Sequence, residues 1–312
     1  MKPNPMNSKK GEPIHGWLIL DKPTAMTAAT AVAKVKHAMN AAKAGHAGTL
    51  DPLATGVLPI ALGEATKTVN FAMDGEKTYE FEVLWGAATD TDDRDGQIIA
   101  ESPVRPNSEA INAALPAFTG TIQQIPPDYS AIKVQGRRAY DMARNNEALE
   151  LKARAVTVHR FELTAVLDAD RAKFTVDCGK GTYIRALVRD LGQALGTLGH
   201  ITALRRTRCG PFREKQAISL ADLEVLGHKA AASDYLLPVG TVLDDIPALA
   251  LTEEEARRMT SGQSIALWPV AKRSPLSGLE QGTVVQARCG DRLIAVAEVG
   301  NGMVRSVRVI NQ

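Results

Sequence analysis

Between Gly45 and Gly63 the chain carries Gly45, Gly48, Pro52, Gly56, Pro59 and Gly63, a density of glycine and proline that breaks both helical and alternating patterns. Any fold built around this segment holds it as a shaped loop. Its glycines let backbone approach a ligand and enter conformations closed to other residues. Asp51 lies at its centre and is the only acid between Lys22 and Glu64. An aspartate before proline often bonds its own backbone in a turn; an isolated carboxylate in an apolar-flanked loop is also a candidate reactive group. The phosphate-cradling pattern G-x-x-x-x-G-K-[ST] is absent, because Lys67 comes four residues after Gly63.

Regular elements flank the loop. Trp17 to Leu20 reads as a short apolar strand that stops at Pro23. Thr27 is placed to cap a helix with Ala31, Val32, Val35, Ala38 and Met39 at helical spacing and Lys34 and Lys36 toward solvent. Tyr79, Phe81, Val83 and Trp85 alternate along a strand. Thr119 to Tyr129 contains prolines and reads as irregular; Val156 to Val166 and Lys173 to Cys178 read as strands. Gly179 to Thr182 turns into a helix whose apolar stripe is Ile184, Leu187, Val188, Leu191 and Leu195, with Arg185 off the stripe. Asp244 to Leu249 reads as a linker. Beyond it come a charged helix (Thr252 to Met259) and three β segments, Gly282 to Cys289, Asp291 to Val299 and Gly302 to Ile310. Together they make a β module of about 60 residues.

Composition narrows the functional classes. With 45% hydrophobic and 23% charged residues over 312 positions, the chain can bury a sizeable core. No apolar run approaches the roughly 18–20 residues that span a bilayer. Met1 to Gly16 lacks the apolar centre of a signal peptide, so a cytoplasmic protein with no membrane role is expected. Cys178, Cys209 and Cys289 are scattered and include no C-x-x-C pair, which argues against structural zinc or a disulfide framework. Net charge is only +2, yet basic residues cluster. Seven fall between Lys133 and Arg160 against three acids, and five between His200 and Gln216 against one. Such clusters suit a polyanion surface, and equally suit solvated faces balanced elsewhere. The opposite bias, Gly86 to Ser102, contains a calcium-loop look-alike from Thr91 with Gly96 sixth. Thr91 and Ser102 are not the ligands its first and twelfth positions need.

The run Gly-His-Ala-Gly-Thr-Leu-Asp-Pro-Leu-Ala-Thr-Gly-Val-Leu-Pro-Ile at 45–60 resembles the signature of the TruB-type tRNA pseudouridine synthases. Further blocks match in the family's order: Leu20-Asp21-Lys22-Pro23, Gly63 to Lys67, Thr89 to Asp92 with Asp95-Gly96, Tyr129-Ser130-Ala131, Lys180 to Arg185, and Leu204-Arg205-Arg206. They span about residues 15 to 215.

The resemblance implies an α+β pseudouridine synthase fold, a mostly antiparallel mixed sheet flanked by helices, followed by a small PUA-like β module. It divides the chain into a tail (1–15), a catalytic domain (16–246) and a PUA-like RNA-binding domain (247–312). The implied activity is isomerisation of uridine to pseudouridine at position 55 in the tRNA T-loop, without cofactor or metal, by a monomer with no obligate protein partner. Asp51 is implied as the nucleophile and Arg185 as its paired cation. Tyr79 would lie beneath the flipped uracil, with its hydroxyl available to assist proton removal. Tyr183 and Leu204 would line the base pocket, and His46 would fill the stack that the base leaves. Lys22 and Lys67 are candidate phosphate contacts. The physical chemistry is consistent: covalent catalysis divides a hard step into two easier ones, a fixed cation favours an ionised carboxylate, and a base inside folded RNA must be extruded before it can react. Readings from other classes are a non-catalytic RNA-binding protein on the same fold, an aspartate-nucleophile phosphotransferase, and the guide-RNA branch of the superfamily. The phosphotransferase would need a metal-binding acid cluster near Asp51, which the sequence lacks.

Overall fold

The computed structural model describes residues 11–130, 132–134, 137, 138, 142, 151–226, 234–274 and 279–311. Its main sheet is built from β1 (Gly16–Lys22), β2 (Thr55–Leu62), β3 (Lys77–Trp85), β4 (Gly120–Gln124), β5 (Arg154–Val166), β6 (Arg171–Cys178), β7 (Gly199–Cys209) and β8 (Ile218–Ser219). They lie in the order β8-β1-β2-β7-β3-β6-β5-β4. Only β8–β1 and β2–β7 are parallel, so the sheet is mixed and mostly antiparallel, as expected.

Strand β1 is buried on both faces. Leu18 and Leu20 join a core that includes helix α1 (Ala28–Ala38), while Trp17 and Ile19 point into a second core with Val57 and Phe212. Helix α1 begins at Thr27, whose hydroxyl accepts the Thr30 N–H at 3.0 Å, and it buries Ala28, Ala31, Val35 and Ala38. Helix α2 (Ile184–Ala194) covers the main core with Ile184, Leu187, Val188 and Leu191.

Three expectations need correction. Thr55 to Leu62 is a full strand despite Gly56 and Pro59. It is buried almost throughout, so it lacks the alternation that marks a half-buried strand. The Pro59 carbonyl accepts the Ala47 N–H at 2.9 Å, so its missing N–H falls on the side of the three-residue strand Ala44–His46 and not on β1. Gly120 to Gln124 is also regular, an edge strand paired along β5, and the irregular stretch starts only at Ile125. The Asp244–Leu249 segment is tied down rather than free: Gln286 donates to the carbonyls of Leu243 (2.7 Å) and Ile246 (2.9 Å).

The last part of the chain forms a five-stranded sheet, larger than the three β segments read from the sequence. Its strands β9 (Ala248–Ala250), β10 (Ile265–Ala266), β11 (Val284–Cys289), β12 (Arg292–Gly300) and β13 (Met303–Val309) run in the order β9-β11-β12-β13-β10. Helix α3 (Glu253–Thr260) carries a Thr252/Glu255 capping box. Leu293, Val296 and Ile310 of this unit join the core under Trp17.

Candidate active site

Three neighbouring strands put chemistry and apolar surface in rows. Across β6, β3 and β7 the partners are Cys178, Lys77 and Cys209, then Val176, Tyr79 and Arg206, then Phe174, Phe81 and Leu204. The Phe row belongs to the core. The Tyr79 row opens into a cleft of 260 Å³ whose lining includes Asp51, Tyr79, Tyr183, Arg185, Leu204 and Arg206. This is below the roughly 300–1,000 Å³ of sites that enclose whole small molecules, and suits one inserted ring.

Asp51 stands on the loop between Ala44–His46 and β2, where its carbonyl accepts the Ala54 N–H. Its carboxylate meets Arg185 Nε at 3.0 Å. Arg185 is only 3% exposed, whereas Asp51 is 33% exposed, so the carboxylate faces the cleft and the cation lies behind it. The other guanidinium nitrogens donate to the carbonyls of Thr91 (2.8 Å) and Tyr129 (2.9 Å), and Asp93 lies 3.7 Å from Nε. Although it lies off the apolar stripe of its helix, Arg185 is not a surface cation. The first turn of α2 is held from β4, where the Gln124 side chain accepts the Tyr183 N–H and donates to the Tyr183 carbonyl. That grip fixes both Tyr183 and Arg185.

The acidic loop is also explained. Asp93 Oδ1 accepts the Thr91 hydroxyl (2.7 Å) and the Asp95 N–H (3.1 Å), while Asp92 pairs with Arg189 at 3.3 Å. Asp93 faces the buried Arg185, and Asp92 faces the partly exposed Arg189. Among the described residues, no group of acids, histidines and cysteines could hold a metal ion.

Arg206 is the residue that sequence reading left off the candidate set. It is fully buried, donates to the carbonyls of Val57 (2.8 Å) and Gly48 (2.9 Å), and is the cross-strand partner of Tyr79. Gly48 has φ +84° and a Cβ there would lie 3.3 Å from Arg206 Nη1; glycine lets the loop close over the arginine. The available signal was an arginine two residues after Leu204 on the inward face of a strand. Arginine has no acceptor, so toward Arg206 the Tyr79 oxygen can act only as an acceptor. Burial pushes the Tyr79 pKa up to about 12, with Arg206 pulling the other way.

The remaining candidates separate. Tyr183 and Leu204 line the cleft. His46 sits outside its lining, on the Ala44–His46 strand, with Nδ1 buried and unpartnered among the described residues. Burial, and after it Arg206, lowers its pKa. Lys22 is not at the surface: its ammonium donates to the carbonyls of Pro23, Met26 and Pro52, and burial lowers its pKa to about 8. Lys67 bonds Glu64 (2.6 Å) and the Val309 carbonyl (2.8 Å), a brace to the C-terminal sheet. Lys22 is thus enclosed, whereas Lys67 stays partly exposed beside its two partners. Within the His200–Gln216 cluster, Arg205 pairs with Asp21 and Glu214, Arg208 with Glu76, and Arg206 is buried. In the first cluster Arg144 lies outside the described residues, and Arg160 pairs with Glu162 and Asp177.

A structure of a Cbf5-Nop10-Gar1 complex matches with a TM-score of 0.76 at 26% identity, covering 98% of this chain and 91% of the matched one. An H/ACA RNP structure, at 24% identity and a TM-score of 0.73, shares the fold over 98% of this chain and 92% of its own. Sheet, cleft and C-terminal module thus make this a pseudouridine synthase fold with a PUA-like unit. Residues 36–184 match the family model "TruB family pseudouridylate synthase (N terminal domain)", and 185–244 match "tRNA pseudouridylate synthase B C-terminal domain". The tRNA pseudouridine synthase B of Rhodospirillum rubrum is 52% identical over 97% of this chain and 98% of its own length. That of Caulobacter vibrioides is 53% identical over 96% and 97%. The chain belongs to the TruB family of pseudouridylate synthases.

Proposed function

We propose that this enzyme converts uridine to pseudouridine at position 55 in the T-loop of tRNA, with Asp51 as nucleophile on a flipped-out base. The observation that carries this reading is the exposed carboxylate of Asp51 held by a buried arginine at the mouth of a ring-sized cleft. The names of relatives more than half identical support tRNA as the substrate. In the reaction the bond from ribose C1′ to N1 breaks, a bond from C1′ to C5 forms, N1 gains a proton and C5 loses one. A covalent bond to Asp51, on base or ribose, holds one fragment while the other turns. Arg185 keeps the carboxylate ionised and aimed. Leu204 and Tyr79 support the ring. With its pKa raised to about 12 by burial, Tyr79 is a neutral phenol in the resting site and offers its hydroxyl to the uracil and to the proton removal that follows. His46 fills the stack that the base vacates. Residues 16–246 carry the chemistry and 247–312 bind RNA, in a cytoplasmic monomer without cofactor; the family match ending at residue 244 supports that division.

The test is to incubate the protein and Asp51→Ala with uridine-containing tRNA transcript and map pseudouridine by chemical labelling and primer extension. One T-loop stop that vanishes in the variant is expected. Tight RNA binding by both proteins with no stop would replace the reading with a non-catalytic RNA-binding role.

A further inference from the structure

Arg185 orients Asp51, but the groups that orient Arg185 come from two irregular segments. Thr91 and Asp93 belong to the loop before the strand Ile98–Glu101, and Tyr129 belongs to the stretch that follows β4. Irregular backbone of this kind drifts unless it is pinned. One turn further along α2, Arg189 grips the same two segments. Its Nη1 meets Asp92 at 3.3 Å, and its Nη2 donates to the Ile125 carbonyl at 2.8 Å. Its Nε is taken by Asp190 at 2.9 Å, which fixes the plane of the guanidinium.

We infer that Arg189 is a positioning residue of the active site, holding with Asp92 both segments whose oxygens aim Arg185, and through it Asp51. The inference rests on the proposed role of Asp51. Two attachments per segment, one from each arginine, fix orientation as well as distance. Without Arg189, the arginine contact from α2 to the segment after β4 is the one to the Tyr129 carbonyl. The loop also contains a backbone under tension: Asp92 has φ +59°, a left-handed conformation that a non-glycine residue holds only when its surroundings impose it. The loop's other anchors include two backbone bonds to β7, from Ile201 N–H to the Asp92 carbonyl and from Arg94 N–H to the Ile201 carbonyl, and the bond from the Arg94 side chain to the Thr24 hydroxyl. The backbone bonds set its position along β7, and the Asp92 carboxylate ties it to α2. Asp92 is also buried, which raises its pKa from 3.8 to about 6. The groups facing it are Arg189, Arg185 and Asp190 from α2 and Asp128 from the segment after β4. Acidification therefore removes the charge that Arg189 holds.

The experiment measures single-turnover pseudouridine formation and RNA affinity for the full chain, Asp51→Ala, Arg189→Met and Asp92→Asn from acid to neutral pH, with folding checked by thermal unfolding. Arg189→Met is expected to lower the rate by about 10- to 100-fold, the effect of a small misplacement of reacting groups, with RNA affinity nearly unchanged. The wild-type rate is expected to fall as pH drops through about 6, and Asp92→Asn to lose that step. Two results overturn the inference: Arg189→Met at the wild-type rate, or a loss of affinity equal to the loss of rate, which puts Arg189 on RNA. Should Arg189→Met fail to fold, Asp92→Asn decides alone, and an unchanged acid limb overturns the positioning role. Activity retained by Asp51→Ala removes the underlying reading of the nucleophile instead.

Discussion

Buried charge separates the residues of this molecule more sharply than residue type does. Lys22 and Arg206 are as enclosed as core leucines, and each satisfies its donors on backbone carbonyls, the condition for tolerating a buried cation. A sequence shows a cation but not its surroundings, so Lys22 and Lys67 read as phosphate contacts and Arg206 passed as one more basic residue. Asp51, Tyr183, Arg185 and Leu204 lie in the motif blocks that carry the resemblance, whereas Tyr79 by itself reads as a core residue of an alternating strand; all five meet in one cleft. Asp92 carries the prediction at this scale. Its pKa is near 6 in the fold against 3.8 otherwise, so between those values the folded state binds more protons than the unfolded one. Its contribution to stability is present below about 4 and is lost as pH rises through 6. Replacing it with neutral asparagine is expected to raise the thermal midpoint at neutral pH, with the gain shrinking on acidification. A lower midpoint for Asp92→Asn at neutral pH contradicts this.

Among the elements, β2 shows best why pattern reading fails in a sheet interior. Periodicity two needs one wet face, and β2 has none. Its glycine has a separate purpose. Gly56 has φ +97°, and a Cβ there would stand 2.3 Å from the Arg206 carbonyl, where β2 and β7 pair in parallel. Gly56→Ala therefore combines a strained backbone with a steric clash. It is expected to destabilise the fold by about 2 kcal/mol or more, read as a lower denaturant midpoint, and to reduce turnover through the displaced Arg206. An alanine variant as stable as wild type refutes the close approach. Helix α1, by contrast, was legible to its cap, because local chemistry at Thr27 and an amphipathic stripe act together. Edge strand β4 was hidden by its exposure, since only Gln124 in it is buried.

For the whole molecule, the C-terminal sheet is less separate than its composition suggests. Leu293, Val296 and Ile310 pack into the core under Trp17, and Glu64 accepts the Asn311 N–H at 2.7 Å beside the Lys67 brace. Units joined by a shared core lose stability together. Calorimetric unfolding is expected as one transition whose calorimetric and van't Hoff enthalpies agree; two separated transitions show that the module stands alone. A sequence reveals a change of composition at a boundary but not an interface across it, and so the Asp244–Leu249 segment read simply as a linker.

The same shared core has a consequence for how the chain is made. Trp17 and Ile19 leave the ribosome well before Leu293, Val296 and Ile310, which help to cover them. Because domains fold as they emerge, the main sheet can pair while one face of its first strand still lacks part of its cover. During that interval the nascent chain presents an apolar surface that a chaperone can hold, and a stalled or truncated product keeps it exposed.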